Sequence, residues 1–591
     1  MPSSRARLET DRSVKQELKS ALRHITLYTV VTIAGCGGDA PQPAADIVLE
    51  NGRIYTVDAS RSWAEAVAIK DGRFVYVGSD AGVEKLKGPA TDTHDLGGRM
   101  VLPGMFDLHI HAMGSGIEKL HCDLTLEAMI EEAGTPPDDL VTDYLARIER
   151  CAASRPDDEW VVGYGWVMDA FGPGALASHE LLDAIESDRP VYMESADGHS
   201  AWVNSRALEV AGITASTPDP EDGRIDRKPG SMEPLGSLQE HATDLVESII
   251  PPPDLATRAA GLEYAVRMLN KYGITSIQDA KTYRQFLEGF EALDAQGGLT
   301  LRAVVSHYWD TSRGMEQLED IRQDRDTFTH GNVRATTVKI WLDGVMENYT
   351  AAMIDPYLVE GRSRGMLMMT EEALRETVTA LDAEGFQVHI HAIGDRAVRE
   401  SLDAFEAARE SNGVTENRHH IAHLEVIRPE DIPRFRELGV AANFTGYWAY
   451  ADAYITDLTL PFIQPDLARW LYPIGSLISD GATVVSGSDW AVSSANPFLQ
   501  IETVITRKDP LNDEDEVFIP EERIALADAI SMLTIDAAWV NHSETDAGSI
   551  EVGKYADLAV LDRNLFDIRP EDISETQVVL TLFGGEIVYE D

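Results

Sequence analysis

The stretch Phe106-Asp107-Leu108-His109-Ile110-His111 follows an apolar run that begins at Met100 and ends with Pro103-Gly104. In an extended strand, side chains alternate between the two faces, so His109 and His111 point the same way and can hold one cation together. This pattern is weak evidence alone, because two histidines at this spacing are more often surface or core residues than ligands. The stretch therefore predicts half of a metal site, and the other ligands must come from elsewhere in the chain.

Four later segments supply candidate partners. Lys339 lies inside the β-branched run from Ala335 to Leu342, where a buried lysine is costly unless its charge is removed or paired. Two interpretations stay open: an ion pair with nearby Asp343 or Glu347, or a carbamate, formed with carbon dioxide, that bridges two cations. The other three strand-like segments end at His391, at His423 and at Asp489.

Helical patterns, such as Glu371 to Ala383 and Ile432 to Leu438, separate these strand-like segments. Strands that alternate with helices are typical of a parallel α/β fold. In a (β/α)8 barrel the reactive residues gather at the carboxyl ends of the strands, so side chains far apart in the chain can share one pocket. We therefore predict an α/β fold built on a TIM-like (β/α)8 barrel.

Both ends of the chain carry short segments with alternating apolar residues. Asn51-Gly52 and Asp71-Gly72 are strong hairpin signals near the amino end, and residues 556–589 have the same character. We expect residues 46–104 and 549–591 to form one composite β-sandwich that flanks the barrel.

The barrel itself is expected to span residues 105–548. Within it, a stretch of about residues 122–328 is far longer than ordinary loops. We interpret this stretch as barrel elements plus an inserted cap subdomain over the mouth of the barrel. Cys122 and Cys151 lie there, outside the series of candidate ligands, and their pairing cannot be determined from the sequence.

The amino-terminal residues have the pattern of a bacterial export signal. Residues 1–24 hold six Lys or Arg against three acidic residues, and Ile25 to Ala34 is largely apolar. That run is too short for a transmembrane helix but suits a signal peptide. Ile33-Ala34-Gly35-Cys36 resembles a lipobox, which predicts a signal peptide over residues 1–35, lipidation of Cys36 and a tether over residues 36–45.

These features predict an extracytoplasmic, membrane-anchored lipoprotein of a bacterium, on the periplasmic or outer face. The alternative is a misassigned start codon, which would leave the protein in the cytoplasm. The formal net charge of −50 repels nucleic acid and anionic membrane surfaces, so the lipid is the only membrane contact that we expect. The oligomeric state stays open, with a homodimer as one alternative.

Several phrases of the chain are long and specific: Asp197 to Ser205 (DGHSAWVNS), Val338 to Gly344 (VKIWLDG), His391 to Ala397, Tyr472-Pro473, Gly487 to Trp490 (GSDW) and Gly548 to Asp562 (GSIEVGKYADLAVLD). Together they resemble the amidohydrolase superfamily, and within it the amidohydrolase-3 branch of N-substituted formamide deformylase-like and YtcJ-like metal-dependent hydrolases. The resemblance covers roughly residues 45 to 591 and indicates the family far better than the substrate.

The resemblance implies two pairs of metal ligands and a bridge between them. The implied residues are His109 and His111 for one ion, His391 and His423 for the other, Lys339 as the bridging carbamate, and Asp489 as both ligand and general base. His389 lies on the same strand face as His391 and competes with it, but the Ala-Ile-Gly-Asp after His391 favours His391. One or two divalent ions are implied, with zinc favoured, although iron, manganese or cobalt also suit such ligands.

The implied reaction is hydrolysis of the carbon–nitrogen bond of a small non-peptide amide, such as an N-substituted formamide or another N-acyl compound. A cation acidifies water and polarises the carbonyl, and Asp489 moves the proton. His199 is a candidate donor to the oxyanion, with a structural role equally open. Alternatives are a cyclic amidase, an esterase or a lactonase on the same site, or a catalytically dead, surface-anchored binding protein, against which the six ligand positions argue.

Lipidation of Cys36 is testable by mass spectrometry of the membrane fraction after expression in a bacterial host. We expect a mature amino terminus at Cys36 whose mass includes the lipid, because the thiol of the lipobox cysteine is the atom that carries the lipid. A chain with an intact leader and an unmodified Cys36 would contradict the lipoprotein interpretation.

Overall fold

The computed structural model describes residues 43–591 apart from residues 134–138, 173–175, 221, 360, 362 and 513–515. The predicted signal peptide, Cys36 and most of the tether therefore lie outside the described residues. Residues 44–591 form one compact unit. Among the described helices, none combines the length and the apolar character that crossing a bilayer requires.

Eight parallel strands form the central sheet, and each pairs with the next along the chain. The strands are Met105–Ile110, Ile274–Thr282, Arg302–Tyr308, Val333–Trp341, Gln387–Ala392, His420–His423, Ala441–Phe444 and Val484–Ser486. We refer to them as the first to the eighth barrel strands. The predicted α/β barrel is confirmed.

Helices connect the barrel strands and cover the outside of the sheet. Glu371–Ala383 shows why they form: the Thr370 hydroxyl caps its amino end, and Leu374, Val378 and Leu381 are buried at the three- and four-residue spacing of one helix face. The principal connecting helices are Leu255–Lys271, Arg284–Ala295, Leu318–Phe328, Glu371–Ala383, Asp395–Asn412, Ile432–Leu438, Ile474–Asp480, Pro497–Thr506, Leu526–Met532 and Ile535–Val540.

The first and eighth strands meet through the residues that follow the eighth strand. The Ser488 amide donates to the Asp107 carboxylate (2.9 Å), and the Asp489 amide donates to the His109 carbonyl (2.7 Å). A Cβ atom on Gly487 would lie 2.3 Å from the backbone nitrogen of His109. Glycine at this position therefore permits the close approach that completes the barrel.

Strands from both ends of the chain form two packed sheets beside the barrel. Leu49, Val101, Val560 and Leu582 are fully buried in the core that these sheets share. One sheet contains Arg73–Gly78, Ala66–Lys70, Ile47–Glu50 and Asp92–Asp95, and the other contains Glu586–Glu590, Val578–Phe583, Leu558–Leu561, Met100–Pro103, Arg53–Tyr55 and Trp63–Ala64.

Of the two hairpins predicted near the amino end, the structure contains one. Asp71-Gly72 joins Ala66–Lys70 to Arg73–Gly78 in an antiparallel hairpin, as predicted. The hairpin predicted at Asn51-Gly52 is wrong, because the chain passes there from one sheet of the sandwich to the other. Asn51 does adopt a left-handed conformation (φ 54°), but the strands on its two sides pair with different partners.

The inserted subdomain is a six-stranded mixed sheet between the first and second barrel strands. Its strands are Cys122–Asp123, Val161–Trp166, Val191–Ser195, Ser200–Val203, Gly223–Arg227 and Pro234–Glu240. The second and third barrel strands follow it, within residues 274–308, so the stretch 122–328 holds both an insertion and barrel elements.

A disulfide between Cys122 and Cys151 joins the edge strand of this sheet to the helix Leu140–Ser154, with the two Cα atoms 5.8 Å apart. Closing a loop of this sequence separation, 29 residues, stabilises the fold by about 3–4 kcal/mol through the lost freedom of the unfolded chain. We therefore expect Cys151→Ser to lower the melting temperature in thermal denaturation. A reducing agent should lower the melting temperature of the wild type to that of the variant and leave the variant unchanged. A wild type that is indifferent to reductant would contradict the bridge.

Candidate active site

All six predicted ligands line one cleft at the carboxyl ends of the barrel strands. The cleft has a volume of about 190 Å³, and His199 of the inserted sheet lines it as well. The predicted ligands are placed by five different strands or the loops that follow them. They are His109 and His111 at the first strand, Lys339 in the fourth, His391 in the fifth, His423 at the end of the sixth and Asp489 after the eighth.

Asp489 is the carboxylate around which the imidazoles gather. Its Oδ1 lies 3.3 Å from Nε2 of His109 and 3.1 Å from Nε2 of His111, and its Oδ2 lies 3.7 Å from Nδ1 of His423. Burial raises its pKa, but His109 and the other imidazoles outweigh this effect and hold the pKa of Asp489 well below the usual range. The carboxylate is therefore ionised at neutral pH.

Three of the imidazoles in the cleft, those of His109, His391 and His423, are neutral. Burial, assisted by Lys339, lowers the pKa of His109 to about 3, and burial also holds the pKa values of His391 and His423 well below the ordinary value. Neutral imidazole is the form that binds metal ions.

The arrangement fits a cation. Ligand atoms of His109, His423 and Asp489 all lie within 4.8 Å of one another, and the three residues are buried. Oδ1 of Asp489 accepts no hydrogen bond, although two imidazole nitrogens lie close to it. An ionised, buried oxygen without a donor is costly, and a bound cation would remove that cost.

The imidazole rings of both implied pairs lie in one continuous group. His423 is close to His109, with ring centroids 4.5 Å apart, and it is equally close to His391, at 4.6 Å. His423 thus lies between the first-strand histidines and His391. His111 approaches the group through Asp489, while Lys339 and His391 line the same cleft.

Lys339 has no ion pair within the described residues, so the predicted pairing with Asp343 or Glu347 is wrong. Asp343 instead accepts hydrogen bonds from the amides of Ala352, Ile393 and Gly394. These bonds fix the chain that follows His391. Burial lowers the pKa of Lys339 to about 7, so much of the amine is uncharged at neutral pH.

His389, which competed with His391 in the sequence, contacts a ligand instead. Its Nε2 lies 2.9 Å from Nδ1 of His109. Because Nε2 of His109 faces Asp489, the contact with His389 fixes which nitrogen of His109 faces the cleft. His420 packs against His389, with ring centroids 4.1 Å apart, and its Nδ1 lies 3.3 Å from the Asn443 amide.

His199 faces the cleft from the inserted sheet. Its ring centroid lies 5.6 Å from that of His391 and 4.8 Å from that of Trp341. Its Nδ1 lies 2.8 Å from Oε2 of Glu240, a residue that the sequence analysis did not single out. Burial favours the neutral ring, but the Glu240 carboxylate outweighs this effect and raises the pKa of His199 to about 9. His199 is therefore a charged hydrogen-bond donor at neutral pH.

Comparison with known proteins identifies relatives along most of the chain. This chain is 28% identical to the putative amidohydrolase YtcJ of Bacillus subtilis, over 92% of its own length and 99% of that protein. It is 27% identical to the N-substituted formamide deformylase of Arthrobacter pascens, over 92% of this chain and 98% of that protein. The protein LONG AFTER FAR-RED 3 of Arabidopsis thaliana is 29% identical, over 92% of both chains.

Among solved structures, an uncharacterized metal-dependent hydrolase from Pyrococcus horikoshii has the same fold. It superposes with a TM-score of 0.69 at 22% identity and covers 89% of this chain and 99% of its own. The sequence profile of the amidohydrolase family matches residues 92–589, which contain every residue of the cleft described above. The chain therefore belongs to the amidohydrolase family.

Proposed function

We propose that this protein is a metal-dependent hydrolase that cleaves the carbon–nitrogen bond of a small N-acyl amine, with N-substituted formamides as the first substrate class to examine. The observation that carries the proposal is the single cleft in which His109, His423 and the ionised Asp489 converge, with the charged His199 facing them. Membership of the amidohydrolase family supports the same reaction class.

In this proposal the cleft holds one or two divalent ions, preferably zinc, because imidazole and carboxylate ligands suit it. The ligands are His109, His111, His391, His423 and Asp489. Lys339 would supply a further anionic ligand as a carbamate, which forms when its amine attacks carbon dioxide and releases a proton. Two observations support the carbamate: the amine is buried, and it has no ion pair in the described part of the chain.

A divalent ion at this position would acidify water, from a pKa of about 15.7 to roughly 7, and polarise the substrate carbonyl. Asp489 accepts a proton as the water oxygen attacks the acyl carbon, and it passes that proton to the departing nitrogen. His199 donates a hydrogen bond to the carbonyl oxygen as negative charge develops there. The products are a carboxylic acid and an amine.

The substrate class rests on similarity and on the lining of the cleft. The formamide deformylase of Arthrobacter pascens matches almost its whole length to this chain. Trp341 and Trp448 line the cleft beside the histidines, and Trp448 stacks on His423 with ring centroids 5.5 Å apart. Such aromatic faces would bind an apolar substituent on the substrate nitrogen.

We also propose that the protein acts outside the cytoplasm, anchored through Cys36. The disulfide between Cys122 and Cys151 supports this location, because disulfides persist in oxidising compartments and are rare in the bacterial cytoplasm.

Measurements of metal affinity in variants distinguish the residues that bind the metal from the residues that only orient them. We expect His391→Ala to lose metal outright and His389→Phe to weaken metal affinity by about 10- to 100-fold, because the phenyl ring fills the space but removes the contact with His109. Elemental analysis after dialysis against graded chelator concentrations measures both effects.

The matched control is His420→Phe, a neighbouring buried imidazole that bonds to no proposed ligand. It should retain metal like the wild type. Equal losses in His389→Phe and His420→Phe would show that His389 only fills space.

Substrate class is testable with the metal-loaded protein and a panel that holds an N-alkyl formamide, 4-nitroformanilide, an N-acetyl amine, a cyclic amide, a lactone and an aryl ester. We expect release of amine from at least one formamide or N-acyl amine. Asp489→Asn should lower kcat by about 100- to 10,000-fold, because it removes both the proton acceptor and an anionic metal ligand. Glu522→Gln, which changes a buried carboxylate bonded to Ser476, should leave kcat unchanged.

Each other outcome points to a different function. Turnover of the ester or lactone alone would replace the amidase proposal with an esterase or lactonase. Tightly bound metal with turnover of the cyclic amide alone would indicate a cyclic amidase. Absence of both metal and turnover would favour a binding protein on an inactive fold.

A further inference from the structure

Glu240 and His199 are joined by two hydrogen bonds across neighbouring strands of the inserted sheet. The strands Ser200–Val203 and Pro234–Glu240 pair in antiparallel register, which places Glu240 beside His199. The Glu240 amide donates to the His199 carbonyl (2.8 Å), and the Glu240 carboxylate lies 2.8 Å from Nδ1 of the ring. Backbone and side chain are therefore held together at the same point.

The second oxygen of Glu240 is fixed by the barrel. Its Oε1 accepts hydrogen bonds from the Thr350 hydroxyl (2.6 Å) and from the side-chain amide, Nδ2, of Asn348 (3.2 Å). Both donors follow the fourth barrel strand, and both are buried. The carboxylate thus has donors on both oxygens, and its orientation is fixed from two separate parts of the chain.

Two backbone features make room for this carboxylate. A Cβ atom on Gly344 would lie 2.0 Å from the Thr350 hydroxyl and 2.6 Å from Oε1 of Glu240, so a larger residue would displace the network. Glu240 itself has φ 51°, in the left-handed region that side chains other than glycine rarely adopt. Such a conformation costs about 1–3 kcal/mol and persists where the surroundings hold it, often at functional sites.

The other nitrogen of His199, Nε2, has no hydrogen-bond partner among the described residues, and the ring lines the cleft. With Nδ1 bonded to a fixed carboxylate, Nε2 is the ring nitrogen left to donate to a substrate in the cleft, where the His199 ring lies 5.6 Å from that of His391. A carboxylate that orients an imidazole and stabilises its charge has the same role in catalytic triads.

We propose that Glu240 is a positioning residue for the reaction: it aims Nε2 of His199 at the substrate oxygen, with Thr350 and Asn348 as its anchors. The inference rests on the proposed hydrolysis only for the identity of the oxygen that His199 binds.

The test is a double-mutant cycle with His199→Ala and Glu240→Gln, using 4-nitroformanilide or the best substrate of the panel. We expect His199→Ala to lower kcat by about 100- to 1,000-fold and Glu240→Gln by about 10- to 100-fold, with little change in KM and unchanged metal content. Because Glu240 acts through His199, Glu240→Gln should lower kcat no further in a His199→Ala background. Glu240→Asp, which keeps the charge, should recover part of the loss.

Glu522→Gln is the matched control, because Glu522 and Glu240 are about equally buried (5% and 6% exposed) and both carboxylates are hydrogen-bonded through each of their oxygens. Its kcat and thermal stability should equal those of the wild type. Equal losses from Glu240→Gln with and without His199 would overturn the proposal, as would an undiminished kcat in the Glu240→Gln single variant.

The same cycle can be measured without turnover, by calorimetric titration of the metal-loaded protein with inorganic phosphate as a tetrahedral oxyanion. Each single substitution should weaken phosphate binding, and the double variant should bind no more weakly than His199→Ala. If no panel compound is hydrolysed but this binding cycle is non-additive, the proposed function fails and the role of Glu240 stands. An additive binding cycle overturns the role of Glu240, whatever the substrate.

Discussion

The contact between His109 and Asp489 determines both the closure of the barrel and the geometry of its site. The Asp489 amide bonds to the His109 carbonyl, while the carboxylate of the same residue lies 3.3 Å from the His109 ring. The backbone bond joins the first strand to the loop after the eighth. The side chains that meet above this bond are therefore brought together by the fold itself, and any shift that opens the barrel also separates them. Gly487 is the residue that allows this approach.

Burial decides the charge state of the cleft. The buried imidazoles of His109 and His423 are neutral, whereas the carboxylate of Asp489, which His109 influences most among the imidazoles, stays ionised. The backbone is also held in unusual conformations here, since Asp489 (φ 56°) and His423 (φ 75°) both lie in the left-handed region. Such conformations are retained where surrounding contacts determine them, and they are typical of sites whose geometry serves a function. The buried side of the cleft thus has a backbone geometry set by its surroundings and a ligand set that suits a cation.

Much of the fold could be predicted from the sequence because its signals are local. The alternation of apolar strands and amphipathic helices indicated the barrel, and chemistry-bearing residues at the strand ends indicated where the site lies. The Asn51-Gly52 signal failed because a left-handed turn looks the same in a hairpin and in a crossing between sheets. The partner of Lys339 was harder to predict, since only the structure shows that the Asp343 carboxylate is already bonded to three backbone amides. Glu240 could not be found, because its relation to His199 depends on strand register within the insertion, forty-one positions apart in the chain.

The inserted sheet supplies His199 and Glu240, whereas the barrel supplies the residues around Asp489. Two regions of the chain therefore line one cleft, and one face of the inserted sheet packs into the same core as the barrel. Substitutions at the cleft face of the insertion would therefore alter which molecules are accommodated, whereas the histidines around Asp489 belong to the barrel. A change confined to the insertion would thus give the same barrel a new specificity. The condition is that the hydrogen bonds from Thr350 and Asn348 to Glu240 keep the two regions aligned.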